Sequence, residues 1–591
     1  MKDSAFLSAI NHFSGTGGIS FQPLTIQDTI IICGAGISSD SNLPLGGTLT
    51  NTLLTWFGFG KDSNSELTAA WFQSYNKEVV SKILDVHVNL YDCPRLEILF
   101  ECMKGALPES YYQKTIKSLL LYDYWRNHFP DSIHSNYHHY TLARFLLDGG
   151  TVLTANFDPL IEHAAALLDP DRSYNRVVFP LAEKSVLVPG QGTLVKYHGD
   201  LDRISTIGID VSHLSIDGFH DAEAKLLDGL FQPVRNLVFV GFSMSDTLDM
   251  IPFLKTRKSL NCFFLNYLKD GSPEIRRICP ADGKALMAYE YILQKFESAY
   301  VIDNVGNAIQ HAVCPFPDDS QSVPAIEIAS GEKDEMEKVR AELSDCRSIW
   351  NRTVRFNILK TLGLMNYSNE AELTGLPLED RFRNYLRNIN GDYRYNYEHR
   401  NRKSLTQSFF RKLEYVFLQK GQWFGRSLVF LSLLASYGRI RWRMLTHKED
   451  MEAIRMASLF QLRLLQTCVH FHMGPMVPRS YLKRILKKMN TQIAWAKECK
   501  DLPTYRYACK ERLYLEGMFH LRTSTELKQD LKGLFELNID SNYYVEANNL
   551  LRFGYLTLKE RDFQEAAERS AHMTKDYLNE MKLLRKNNAE Q

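Results

Sequence analysis

The sequence predicts an α/β fold, a parallel sheet with crossover helices in the N-terminal half, followed by an all-α C-terminal half. Three observations carry this. The run Thr29-Ile30-Ile31-Ile32 is apolar, β-branched and without alternation, the pattern of a strand buried on both faces. Four later runs share the pattern, and each ends in a small polar or glycine cluster. Beyond about residue 335 such runs stop, and apolar residues recur at helical spacing.

Taken in order, residues 1–28 read as irregular, with a loop at Gly15-Thr16-Gly17-Gly18. The first strand runs into Cys33-Gly34-Ala35-Gly36-Ile37-Ser38. Two glycines one residue apart allow a sharp turn and a close backbone approach. A helix from about Ser38 would aim its free amides at an anion in that turn, most naturally a phosphate. Ser39 stands where a dinucleotide fingerprint has its third glycine. Leu43-Pro44-Leu45-Gly46-Gly47 reads as a mobile loop that breaks this helix. Residues 50–148 read as a mostly helical, aromatic-rich insertion, ending in a helix over 136–147 that Gly149-Gly150 stops. His138 and His139 on that helix read either as ligands or acid-base groups or, the favoured reading, as helix-surface and packing residues beside aromatic neighbours.

The four later strands are Thr151–Thr154, Thr193–Tyr197, Leu237–Val240 and Cys262–Leu265. They run into Ala155-Asn156-Phe157-Asp158, His198-Gly199-Asp200, Gly241-Phe242-Ser243-Met244-Ser245-Asp246 and Asn266. Helices over Pro159–Leu168 and Asp221–Leu230 supply crossovers. In open parallel sheets ligands bind outside the carboxyl ends of the strands, so five polar strand ends describe one site. Asn156 suits a ribose hydroxyl or an attacking water. Asp158 can accept hydrogen bonds from a carboxamide, and His198 is the natural general base near neutrality. The Gly241 and Ser243 turn can hold a second phosphate or a ribose. Each residue also has a bland reading as an ordinary strand-end turn; their ordered co-occurrence is what favours a site.

These segments resemble the sirtuin family, which uses NAD on a Rossmann-like domain. The resemblance spans about residues 28–267 and keeps the family's motif order. Gly34-Ala35-Gly36-Ile37-Ser38 with Pro44 comes first, then Thr154-Ala155-Asn156-Phe157-Asp158. His139 through Leu142 and Gly149 resembles the helix before that second motif. Lys196-Tyr197-His198-Gly199 looks like the catalytic histidine segment, Gly241-Phe242-Ser243 like the ribose-binding turn, and Asn266 like the asparagine near the adenosine. The resemblance implies Asn156 and His198 as catalytic residues. It implies Gly34, Ala35, Gly36, Ser38, Asp158, Gly241, Ser243 and Asn266 as NAD-binding residues.

Two departures narrow the expectation. No cysteine lies between His198 and Gly241, so the zinc module of protein-deacylating sirtuins is absent and no zinc is expected. Leu45-Gly46 replaces the family's Phe-Arg, which favours water over an acyl-lysine as nucleophile. Gly241-Phe242-Ser243-Met244-Ser245-Asp246 and Pro44-Leu45-Gly46-Gly47 look more like the sirtuin-like domains of bacterial antiphage systems. The implied activity is NAD hydrolysis to nicotinamide and ADP-ribose in abortive infection. The alternatives are an NAD-dependent deacylase or ADP-ribosyltransferase, and a non-catalytic NAD or ADP-ribose sensor.

Length and composition set the frame. At 591 residues the chain exceeds one core. With 45% hydrophobic and 24% charged residues it is ordinary globular material, and a net charge of +1 gives no global pull toward nucleic acid or membrane. The ten cysteines form no C-x-x-C pair, which fits a reducing, cytoplasmic compartment. The N-terminus shows no secretory pattern, and the longest apolar stretch, Leu428 to Tyr437, is too short to span a bilayer.

The predicted organisation is a catalytic domain over 1–314, a polar linker over 315–334 and a helical regulatory or oligomerisation domain over 335–591. Arg552-Phe553-Gly554-Tyr555 with Asp562-Phe563-Gln564-Glu565-Ala566-Ala567 resembles one tetratricopeptide-like helix pair. Basic and aromatic residues interleave at 411–415, 439–443 and 481–484, as on a nucleic-acid face or on solvated helices with aromatic packing. By family association, the helical domain implies gating by homo-oligomerisation, or by a partner such as a HerA-type translocase or a phage protein.

Overall fold

The computed structural model describes residues 4–41, 43–59, 63–85, 88–89, 94–123, 135–181, 187–203, 206–207, 219, 221–244, 250–266, 273–278, 286–305, 330–345, 347–364, 438, 442, 446, 478–498, 502–541 and 543–590. Ten strands occur among them: β1 Thr29–Cys33, β2 Val88–Asn89, β3 Thr151–Thr154, β4 Asn175–Val178, β5 Thr193–Lys196, β6 Asn236–Val240, β7 Asn261–Asn266, β8 Glu274–Arg277, β9 Leu286–Met287 and β10 Ser298–Asp303. Eight form one sheet in the order β4-β5-β3-β1-β6-β7-β10-β8. Every pairing in it is parallel except β10 with β8. β2 and β9 pair separately.

The chain enters at β1 in the middle, builds outward through β3 to one edge, then returns to the other side of β1 with β6. The reversal opens a crevice at the carboxyl ends of β1 and its neighbours. Register aligns those ends. Cys33 pairs with Thr154 and Val240, Thr154 with Lys196, and Val240 with Leu265. Every residue of β1, β5 and β6 is buried, Lys196 at the end of β5 included. Helix Tyr137–Leu147 packs through Leu142, Phe145 and Leu146 into the core that holds Ile31, Val152 and Val238.

The sheet is larger than the sequence pattern predicts. β4 and β8 are edge strands carrying arginines, so neither shows the buried-run signature, whereas β10 does hold a buried apolar run, Ala299–Ile302, missing from the predicted strands. The helix expected from Ser38 is instead a tight 3₁₀ segment, Ala35–Ser41, with Ile37 N–H bonded to Gly34 O at 3.2 Å. Gly46 and Gly47, expected in a loop, form the first turn of helix Gly46–Trp56, a position that tolerates glycine because its amides have no intrahelical partner.

Two compact units divide the chain: residues 1–358 with 569–591, and residues 359–568. In the first, the expected insertion is helical, with segments from Gly46–Trp56 through Glu109–Lys117. Helices Ser330–Ser344 and Ile349–Thr361, in the region expected to leave the catalytic domain, pack there up to residue 358. Asn351 Nδ2 donates to Trp56 O at 2.8 Å, and Asn357 Nδ2 to Cys102 O at 3.0 Å. The last helix, Arg561–Glu590, contributes Tyr577 beside Trp71 and an Arg569–Glu78 ion pair to the same unit. Linker residues 315–329 lie outside the described residues.

The second unit is helical wherever it is described, with Arg479–Glu498, Leu502–Met518, Ser524–Asp540 and Tyr544–Phe553. Gly554 explains the motif around it: a Cβ there would lie 2.5 Å from the Phe563 ring, so glycine lets the two helices touch. Of the basic-aromatic stretches, 411–415 lies outside the described residues, as does 439–443 apart from Trp442. In 481–484, Leu482 is buried while Lys483 and Arg484 are exposed, the layout of an amphipathic helix face.

Candidate functional site at the carboxyl ends of the sheet

The glycine turn after β1 and the Gly241 turn after β6 lie backbone against backbone. Gly36 N–H donates to Gly241 O at 2.9 Å, and Gly34 N–H to Val240 O at 3.3 Å. A Cβ on Gly36 would stand 2.7 Å from Gly241 O, and one on Gly241, whose φ is +57°, would stand 2.5 Å from Ile37 N. The close approach that these glycines permit is therefore made to each other. It fixes Ser38 over the ends of β1 and β3.

Ser38 is the centre of the polar arrangement. It is 2% exposed, and its hydroxyl meets three side chains: His139 Nε2 at 3.1 Å, Asn156 Nδ2 at 3.1 Å and Asp158 Oδ2 at 3.0 Å. The direction of each bond follows from the helix cap. Asn136 caps helix Tyr137–Leu147, and its own N–H donates to His139 Nδ1 at 3.0 Å. Nδ1 is thus an acceptor, so the neutral ring carries its proton on Nε2 and donates it to Ser38. Asn156 donates as well, which leaves the Ser38 O–H to donate to Asp158. One hydroxyl then has both acceptor positions and its single proton committed. Asn136 also clamps the glycine turn, donating from Nδ2 to Ile37 O at 2.7 Å.

The turn after β3 is ordered by its own polar groups. Asn156 N–H donates to Thr154 Oγ1 at 3.0 Å, and Leu160 N–H to Asp158 Oδ1 at 3.1 Å. Asp158 is half-buried, and desolvation pushes its carboxyl above the ordinary carboxylate range against the pull of Lys196, Leu160 N–H and the Ser38 hydroxyl. Burial holds both His138 and His139 down at about 3, so both rings are neutral at physiological pH.

That shift has a testable sign. The unfolded chain protonates both histidines below about pH 6.5, whereas the folded chain does so only near 3. The unfolded state therefore binds more protons across this window, and stability rises with pH by up to about 1.4 kcal/mol per pH unit for each ring. The raised carboxyl of Asp158 contributes with the opposite sign just above the ordinary carboxylate range. Urea midpoints are expected to fall between pH 7 and pH 5, and His138→Phe, which keeps an aromatic ring beside Tyr137, to flatten that fall by about one proton.

Gly34, Gly36, Ser38, Asn156, Asp158 and Gly241 are thus joined in one cluster, with Ala35 in the same turn. His198, Ser243 and Asn266 stand at the same edge of the sheet, after β5, after β6 and at the end of β7. His198 is partly exposed, with the Tyr197 ring edge-on at 4.6 Å. Gly199, at φ +101°, turns the chain beside it. Asn266 Nδ2 donates to Asp303 Oδ1 at 2.7 Å, and Asp303 also receives Arg276 Nε at 2.9 Å. Ser245 and Asp246 lie outside the described residues. Among the described residues, no three His, Cys, Asp or Glu side chains cluster as metal ligands do, and no helix is long and apolar enough to cross a membrane.

Sequence reasoning missed Asn136 and His139 as members of this cluster. Their signal was an N-cap asparagine followed three positions later by a side chain able to accept its N–H, here histidine rather than glutamate. A family model described as a SIR2-like domain matches residues 150–258. That segment runs from β3 past β6 and contains Asn156, Asp158, His198, Gly241 and Ser243. No curated protein matches the chain.

Proposed function

We propose that the first unit is an NAD glycohydrolase, cleaving NAD to nicotinamide and ADP-ribose. The observation that carries this reading is the Ser38 hydroxyl, which joins Asn156 and Asp158 at the strand-order reversal, and both of those partners fall within residues 150–258 matched by the SIR2-like model. The main chain of the glycine turn through Ser38, whose hydroxyl is already committed, would take the pyrophosphate and adjacent ribose, with Gly241 and Ser243 at a second ribose and Asn266 toward the adenosine. Asp158 would accept from the nicotinamide carboxamide.

Asn156 directs an Nδ2 proton to Ser38, and its Oδ1 would accept from a water below the anomeric carbon. The C1′–N bond breaks first, and its electron pair neutralises the pyridinium of the leaving nicotinamide. The water oxygen then bonds to C1′, and the proton it loses passes to His198 and on to solvent. The transition state has oxocarbenium character, which the pocket need only stabilise and shield.

Incubating the protein with NAD and separating the products tests this directly. Equal amounts of nicotinamide and ADP-ribose are expected, without an acyl-lysine peptide. A requirement for such a peptide would replace this reading with the deacylase. NAD binding by calorimetry with no turnover would replace it with the sensor. An unregulated hydrolase would deplete the cell's NAD, so the activity is proposed to be gated by homo-oligomerisation, or by a HerA-type translocase or phage protein, as in an abortive-infection effector. A monomer by size-exclusion mass measurement that is always active would remove the gate.

His139 is expected to act through Ser38. His139→Asn keeps an acceptor near the Nδ1 position for the helix cap but cannot reach Ser38; it is expected to lose about 1 kcal/mol of stability with the Ser38 bond and roughly tenfold in kcat. His139→Gln keeps a donor near the Nε2 position; it is expected to keep most of kcat and lose about 1 kcal/mol of stability with the cap. The reverse ordering of the two variants in kcat would refute this role.

A further inference from the structure

We propose that Lys196 is a positioning residue, whose ammonium ties the turn carrying Asn156 and Asp158 to the strand end carrying His198. This rests on the NAD-cleavage reading for its kinetic consequence but not for its structural one. Lys196 closes β5, two residues before His198, and is 0% exposed. A lysine this deep requires a specific set of partners. Its Nζ donates to Asp158 O at 2.8 Å, Phe157 O at 3.2 Å and Glu162 Oε1 at 3.1 Å, and Asp200 Oδ1 lies 3.4 Å away.

Two of these partners are main-chain carbonyls immediately after Asn156. An ammonium needing only charge compensation would be satisfied by Glu162 and Asp200. Its bonds to the carbonyls instead set the backbone that aims the Asn156 amide and the Asp158 carboxyl. The other end of the tether is equally defined. Lys196 pairs in register with Thr154, Tyr197 N–H donates to Thr154 O at 3.1 Å, and Leu201 N–H donates to Phe157 O at 3.0 Å. The Phe157 carbonyl thus receives Lys196 from below and the chain after His198 from the side. Arg176 on β4 holds the two acids, bonding to Glu162 at 3.2 Å and to Asp200, so the ammonium itself sits in a fixed cage. Asn156 and His198 follow separate strands, and this side chain acts with the β3–β5 main-chain bonds to set their separation.

The test uses the full chain with Lys196→Gln and two readouts. Hydrogen exchange reports positioning without reference to activity. The amides of Asn156, Leu160 and Leu201 are expected to lose protection tenfold or more, while those of Ile30 to Ile32 in β1 stay as in the wild type. In the NAD assay, kcat is expected to fall tenfold or more with KM within about threefold. Equal loss of protection at the turn and in β1 would mean a merely structural lysine and would overturn the proposal, as would wild-type kcat with unchanged turn amides. If Lys196→Gln does not fold, the charge-balanced pair Lys196→Met with Glu162→Gln takes its place, with the same two outcomes. A wild type that leaves NAD intact sinks the cleavage reading alone, and the exchange pattern still decides the tether.

Discussion

Asn156→Ala is expected to lower the rate of nicotinamide release by about 10²- to 10⁴-fold, with His198→Ala in the same range, while both proteins remain folded. Removing the Asn156 amide takes one of three partners from Ser38, whose hydroxyl still accepts from His139 and donates to Asp158. A stability loss of about 1 kcal/mol is the usual consequence of one such bond, too little to unfold a domain of this size. The rate should fall much further, because Oδ1 is the atom proposed to hold the water and no neighbour replaces its geometry. Product analysis and urea unfolding on the same preparation separate the two effects. Nicotinamide release within threefold of wild type for both variants would refute the assignment.

Gly241→Ala is expected to be severely damaging, costing more than about 3 kcal/mol or abolishing soluble expression. Two effects act together. The left-handed backbone at φ +57° costs an alanine about 1 kcal/mol, and its Cβ would lie 2.5 Å from Ile37 N and 2.8 Å from Gly36 C. These are main-chain atoms of a turn bonded to Gly241 itself, so they cannot step aside without breaking the Gly36 N–H bond to Gly241 O. Gly36→Ala meets the same wall from the other side, at 2.7 Å from Gly241 O. Gly46→Ala is the control: nothing lies within 4 Å of its Cβ position, so it should be neutral or slightly stabilising. Urea unfolding that places Gly241→Ala within 1 kcal/mol of Gly46→Ala would contradict the packed-turn account.

The parallel sheet was legible because strands covered on both faces cannot alternate. β1, β3, β5, β6 and β7 each stand out as apolar runs for that reason. β4 and β8 carry arginines at the sheet edges, where acidic neighbours and solvent together take the charge, and so resemble loops. Asn156, Asp158 and His198 stood out as candidates because polar groups recur in order after successive buried strands; each alone is an ordinary strand-end turn.

His139 and Lys196 were hidden by the opposite logic. A histidine among aromatic residues on an apolar helix reads as packing, and a lysine reads as surface. Only their neighbours show otherwise: Ser38, 101 residues before His139, and the Phe157 and Asp158 carbonyls, some 40 residues before Lys196.

The sequence by itself determined the order of buried strands and the polar groups at their ends, since burial periodicity and turn chemistry are local properties. Only the tertiary structure decided what the glycines clear space for, which proton the Ser38 hydroxyl gives and which it takes, and what holds Asn156 opposite the His198 strand. Those are matters of which distant main-chain and side-chain atoms come within 3 Å or so of each other, and contact between segments a hundred residues apart leaves no periodic trace in the chain.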